Sequence, residues 1–572
     1  MFFSYIRTII SLKPQQSFPV LTKLIKPRFI PTQHHLTVAA GCESPIYCNG
    51  KLLTTIQNSG MFVDSKTFVD MKMKKTVFET VGAFHSLMYQ YEDEPSREVL
   101  ESFVRDHFEY ENELEDWFPP DFNPEPRFLT RIPDPEVRSF AKRLVWLWPK
   151  LGRKLKNDIY RNTDKYSMVP LSNGLIVPGG RFHEIYYWDT YWIVNGLLIS
   201  EMYHTARGLI DNLIYMVRVY GFVPNGGRIY YAQRSQPPLL IPMAAKYVQY
   251  TNDLAWLKKN IIFLKREMKF WKMKRFLTVE KFDNQYDLAY YAVEGYGPRP
   301  ESYHEDADLA VHLESEGERE EIFTNLKCAV QSGWDFSSRW IYDDNGDCKG
   351  SLAQTQAKYV VPVDLNAFLH LAYLSMAYLY GKLGNYERKV YWWQEAKILA
   401  HSIKEILWDE EDNMWYDFNV KLREHRKMFY ASNLTPLWTG CFPKSEAKRY
   451  GKANADYLVR TGIMDYKGAI PTSLEFSGQQ WDFPNAWPPL QAIIVQGLES
   501  SGHPDAVRLA RELAERWVTT VVQGFKETGD MYEKYNCMEV GKYGGGGEYI
   551  IQTGFGWTNG VSLEFIVKYY SN

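Results

Sequence analysis

Paired helical stripes fill most of residues 185 to 525, and they constrain this chain more than any other feature. In "DLNAFLHLAYLSMAYLYGKLG", Leu365, Phe368, Ala372, Met376 and Leu379 recur at the spacing of one helix face, and the pattern stops at Gly381 or Gly384. "NYERKVYWWQEAKILAHSIKEILW" follows at once, with Trp392, Ala396, Leu399, Ile403 and Ile406 on one stripe. "PPLQAIIVQGLESSGHPDAVRLARELAERWVTTVV" reads as another pair, split between Ser500 and Pro504. Upstream, "DPEVRSFAKRLVWLWPKL" offers Asp134 as an N-cap and Pro135 at the first helical position, followed by a stripe of Val137, Phe140, Leu144 and Leu147. Strand-like alternation is brief, as in "GGRIYYAQ". No fixed-length repeat supports a solenoid. The pattern predicts one large all-α domain of about a dozen helices; periodicity does not say whether the pairs close into a ring.

Between the pairs run long polar and aromatic loops, among them "GYGPRPESYHEDADLAV" and "NCMEVGKYGGGGEYIIQTGFGW". Loops of that length usually carry function or are disordered, and their aromatics argue against disorder. "PGGRFHEIYYWDTYW", residues 178–192, packs six rings around Arg181, Glu184 and Asp189. A phosphate loop would need a Lys-Ser or Lys-Thr pair at a helix start, which the segment lacks. A core segment would bury three charged groups that each need a partner. A pocket wall fits better: the charged groups hydrogen-bond sugar hydroxyls and the rings cover apolar sugar faces.

Composition narrows the ligand. A net charge of -3 over 572 residues gives no electrostatic case for nucleic acid or an anionic membrane. With 18 Trp and 40 Tyr, carbohydrate stacking is worth testing against the plain alternative of a large helical core. The six cysteines show no zinc spacing; Cys42 and Cys48 are placed either to close a short disulfide loop or to stay as thiols. There is one glycosylation sequon, at Asn433. Residues 1–41 carry Arg7, Lys13, Lys23, Lys26 and Arg28 without an acidic residue, and read as a targeting or disordered segment. Its apolar runs are too short for a membrane span.

Cleaving a glycosidic bond usually takes two carboxyl groups, one a general acid and one a general base or nucleophile. Most acidic residues of a helical protein are solvated. The unusual ones here sit among Gly, Trp and Tyr: Asp335 in "SGWDFSSRW", Asp482 in "QWDFPNAWPP", Glu533 in "MYEKYN" and Glu548 in "GGGGEY". An apolar aromatic setting raises a carboxyl pKa, which suits a proton donor. Taken singly, each also fits a capping or salt-bridged role. No GxSxG elbow or HExxH zinc pair competes with them.

Together these strings resemble the trehalase family of glycoside hydrolases. "PGGRFHEIYYWDTYW" and "QWDFPNAWPP" match its two signature segments, and "RPESY", "SGWDFSSRW", "GGGGEY" and "GFGWTNGV" follow the family pattern from about residue 42 to the C-terminus. "CESPIYCNGKLL" is similar to animal members in particular. The resemblance implies an (α/α)6 toroid over residues 42–572 and inverting hydrolysis of α,α-trehalose to two glucose molecules, with no metal or organic cofactor. It implies Asp335 as general acid and Glu533 as general base. It implies Arg181, Trp188, Asp189, Asn225, Arg234, Gln236, Arg299, Glu301, Gly333 and Glu548 as the sugar-binding set. His183 and Thr190 depart from the residues common at those positions. The resemblance favours a secreted protein, although residues 1–41 hold no clear signal peptide. The expected ligand is a small molecule, with no nucleic acid and no stable membrane span; oligomeric state is left open. Two other readings are an inactive sugar-binding protein on the same fold and a hydrolase of another α-glucoside.

Overall fold

The computed structural model describes residues 42–293, 295–343, 345–547 and 552–572. Twelve of its helices alternate in chain order between an outer and an inner ring. The outer helices are α1 (Pro135–Leu151), α3 (Tyr203–Tyr220), α5 (Leu254–Lys274), α7 (Tyr386–Leu407), α9 (Ala447–Arg460) and α11 (Pro504–Thr528). The inner helices are α2 (Asp189–Ile199), α4 (Leu240–Thr251), α6 (Val363–Lys382), α8 (Thr435–Thr439), α10 (Pro488–Ser501) and α12 (Gly556–Tyr569). Each inner helix packs on the next, and α12 packs back on α2, so the ring closes as an all-α toroid.

Sequence explains the two rings. In α11 the buried residues Ala506, Leu509, Ala510, Leu513, Trp517 and Val521 form one stripe, so only that face seeks apolar contact. The predicted stripe of α7 is likewise its buried face. By contrast α2 is buried from Asp189 to Leu198 and α6 along nearly its whole length, as helices surrounded by other helices must be. Asp134 caps α1 as its position predicts, accepting from the backbone N of Glu136 (2.8 Å) and Val137 (3.0 Å). "GGRIYYAQ" is not a strand: Ile229–Gln233 is a 3₁₀ turn. Tyr230 and Tyr231 are consecutive and both buried, which breaks the one-in, one-out alternation of a half-exposed strand.

The connections are asymmetric. Inner-to-outer turns are short, with Ser200 to Met202 joining α2 to α3 and Gly502 and His503 joining α10 to α11. Outer-to-inner connections are long: 152–188, 221–239, 275–362, 408–434, 461–487 and 529–555. All of them emerge on the face where the inner helices begin. A smaller apolar cluster built from Leu53, Phe68, Phe84, Phe103 and Phe108 lies N-terminal to the toroid and packs on Tyr186, Tyr230 and Tyr231. Cys42 and Cys48 are disulfide-bonded at its start. Among the described residues, no helix is long and apolar enough to cross a membrane.

Candidate active site

The long connections surround a pocket at the N-terminal ends of α2, α4, α10 and α12. Trp188 and Asp189 enter from the start of α2, Gln236 from just before α4, Trp481 and Trp487 from just before α10, and Phe555 and Trp557 from the start of α12. Asp335 comes from the 275–362 connection and Glu533 from the 529–555 connection. All the sequence-predicted site residues line this pocket except Glu548, which lies outside the described residues.

An indole scaffold supports the pocket. Trp481 stacks on Trp487 with ring centroids 3.9 Å apart and on Trp334 at 5.3 Å, while Trp188 meets Trp557 edge-on at 5.9 Å. Offset and edge-on pairs of this kind lock ring orientation. Gly333 is required where it stands. Its φ is +78°, and a Cβ there would lie 2.7 Å from Cε2 of Trp188.

Four carboxyls line the pocket: Asp189, Glu301, Asp335 and Glu533. Asp189 is pushed well above the usual aspartate range, first by burial and then by the nearby carboxylates of Glu533 and Asp335. Cations stand against them. Arg234 pairs with Oε1 of Glu301, and Oε2 of Glu301 is buried without a protein partner. Arg299 grips Asp306 through Nε (2.9 Å) and Nη2 (2.6 Å). Gln236 accepts from the backbone N of Trp188 at 3.1 Å, and Oδ1 of Asn225 from Nε of Arg234 at 3.4 Å. Arg181 stands at the mouth, where Nη2 meets Asp64 at 2.9 Å.

Buried polar contacts behind the pocket fix the Asp335 loop. Arg339 binds Asp364 with both terminal nitrogens (2.8 Å each) and Asp417 through Nε at 2.7 Å. Asp482, a candidate by its aromatic setting, faces away from the pocket. It accepts from Ser337 Oγ (2.9 Å), Ser338 N (2.6 Å) and Ser473 Oγ (2.8 Å) and so pins the loop two residues past Asp335. Glu184 also departs from the pocket-wall reading: fully buried, it meets Nζ of Lys66 at 2.9 Å and Nε of Arg228 at 3.7 Å. The segment 178–192 is thus wall at Arg181, Phe182, Tyr186, Trp188 and Asp189, and core at Glu184, Tyr187, Tyr191 and Trp192.

Sequence reasoning missed the indole floor of Trp481, Trp487 and Trp557, although it singled out the strings that carry them. It also missed Lys66, which reaches the pocket from the N-terminal cluster, where no periodic signal marked a site. Asn433 of the sequon is buried, with Nδ2 donating to the carbonyl of Met428 at 2.9 Å.

A helical toroid whose long connections converge on an aromatic pocket lined by several carboxyls has the build of a glycoside hydrolase. Comparison with known proteins narrows this further. The Trehalase family profile matches residues 60–570, and the chain belongs to that family. It is 47% identical to a trehalase of Tenebrio molitor over 530 residues, covering 93% of this chain and 96% of that protein. It is 43% identical to the Homo sapiens trehalase, covering 92% and 90%. Among solved structures, a neutral trehalase from Saccharomyces cerevisiae aligns with a TM-score of 0.54 at 24% identity, covering 70% of this chain and 74% of that one, a likeness of fold.

Proposed function

We propose that the pocket hydrolyses α,α-trehalose with inversion, with Asp335 as the general acid and Glu533 as the general base. The observation that carries the reading is convergence: two carboxyls 198 residues apart in the chain (533 minus 335), each from its own long connection, line one pocket floored by indoles. Trehalose is an acetal without a reducing end, so its bridging oxygen leaves only as it is protonated. Asp335 gives that proton. Glu533 removes a proton from water, whose oxygen attacks the anomeric carbon from the opposite face. One glucose departs in the α configuration and the other forms as β. Asp335 ends as carboxylate and Glu533 as acid, and exchange with solvent resets them.

Inversion leaves room for the water, with carboxyl groups roughly 6.5–9.5 Å apart in such enzymes. Arg181, Trp188, Asp189, Asn225, Arg234, Gln236, Arg299, Glu301 and Gly333 hold the two glucosyl rings in this reading. A buried Asp189 that keeps its proton donates a hydrogen bond to a sugar hydroxyl. Asp335→Asn and Glu533→Gln are each expected to lose on the order of a hundredfold or more in kcat. Glucose release from trehalose measures this, and ¹H NMR of fresh product reads the α:β ratio. Near-normal kcat in either folded variant, or α-glucose alone as the first product, overturns the assignment.

A further inference from the structure

Lys534 follows the proposed general base directly in the chain and is fully buried. Its Nζ donates to Oε1 of Gln480 at 3.1 Å and to the carbonyl of Gly546 at 3.3 Å, and sits 5.0 Å from the Trp487 ring centroid. Gln480 in turn donates through Nε2 to the backbone carbonyl of Asp335. Its own backbone is held from both sides: Trp487 Nε1 donates to its carbonyl at 2.9 Å, and the next residue, Trp481, donates to the carbonyl of Phe336 at 3.0 Å. A continuous bridge therefore runs from the Glu533 segment through Lys534 and Gln480 to the Asp335 loop.

We infer that Lys534 is a positioning residue that ties the base segment to the acid loop and holds both carboxyls in the field of one buried ammonium. The inference rests on the roles assigned above to Asp335 and Glu533. The titratable groups around Lys534 are Glu533 and Asp335 on the two bridged segments, and Asp189 at the head of α2, which interacts with both carboxyls. Burial brings the Lys534 ammonium down to about 8 even though Glu533 and Asp335 pull it up, so it is charged at neutral pH and below. A nearby cation favours the ionised form of a carboxyl, so its field lowers the pH at which each carboxyl titrates. A lysine that only fills space and hydrogen-bonds between its loops, without acting on the two carboxyls, would leave the pH profile of catalysis where it is once the variant folds.

The test is the pH dependence of kcat/KM for trehalose in Lys534→Met and Lys534→Gln, with the melting transition confirming the fold. Both limbs of the profile are expected to move to higher pH by roughly one unit. The kcat is expected to fall about tenfold. Lys534→Arg keeps the charge and is expected to hold both limbs close to the wild type. Gln480→Ala keeps the ammonium but cuts the bridge, so kcat falls about tenfold with the limbs fixed. A folded Lys534→Met enzyme with wild-type limbs overturns the inference, as does an arginine variant that shifts like the methionine one. If neither neutral variant folds, Gln480→Ala decides, and a wild-type kcat there overturns the bridge. Asp335→Asn and Glu533→Gln separate the two failures: activity in those variants overturns the acid and base roles, whereas inactivity with an unmoved Lys534→Met profile overturns Lys534 alone.

Discussion

At the scale of single residues, the site depends on groups that catalyse nothing. Gly333 brings the backbone of the acid loop against the Trp188 indole, with a φ that side chains rarely adopt. Gly333→Ala is expected to push Trp188 out of place and raise KM for trehalose about tenfold or more, with a lower melting temperature, since overpacking of this kind costs about 1–3 kcal/mol. Steady-state kinetics beside a thermal melt checks both. The predicted carboxylates differ in how far sequence could sort them. Asp335 and Asp482 each sit beside aromatic residues in a Trp-rich loop, so local sequence ranks them alike. In three dimensions Asp335 lines the pocket, whereas Asp482 is turned onto the hydroxyls of Ser337, Ser338 and Ser473. Side-chain direction in an irregular loop depends on distant partners, which no local pattern encodes.

At the scale of elements, the N-terminal cluster meets the toroid through charge as well as rings. Lys66 and Asp70 from the cluster and Glu113 just beyond it close on Glu184 and Arg228 of the toroid, with Lys66 Nζ 2.6 Å from Asp70 and Arg228 Nη2 2.6 Å from Glu113. Burial alone would raise the Glu184 carboxyl, but Lys66 and Arg228 outweigh it and hold it well below the usual glutamate value of 4.5. A folded-state pKa below the unfolded one contributes stability above the unfolded pKa and loses it as pH falls. The contribution of Glu184 to docking is therefore expected to weaken as pH falls below 4.5. Melting temperatures measured from pH 6 down to pH 3 would show this slope, and Glu184→Gln is expected to flatten it while lowering stability at neutral pH. Removing one partner of a buried pair costs about 3–5 kcal/mol. Helical stripes were legible in sequence because a 3.6-residue period is local. This network was not, because its members lie from 66 to 228 and meet only when the cluster docks.

At the scale of the whole molecule, closure of the inner ring joins α2 to α12 across most of the chain. Gly560 makes that contact possible: a Cβ there would lie 2.1 Å from the backbone carbonyl oxygen of Trp192. Gly560→Val forces the ring open at this seam. It is expected to lower the yield of folded enzyme and the denaturant midpoint by more than a surface substitution, which usually stays within about 0.5 kcal/mol. Chemical unfolding compared with an exposed-site control checks it. The sequence by itself determined the helices, their pairing and the family, because periodicity, capping and rare tryptophan-rich strings are written in consecutive residues. The tertiary structure decided which connections converge. Short inner-to-outer turns push every long connection to one face, and there residues 188, 335, 481 and 533 become neighbours. It also separated the Asp335 that lines the pocket from the buried Asp482 that holds its loop. Both outcomes depend on contacts between segments more than a hundred residues apart, which exist only once the chain has folded.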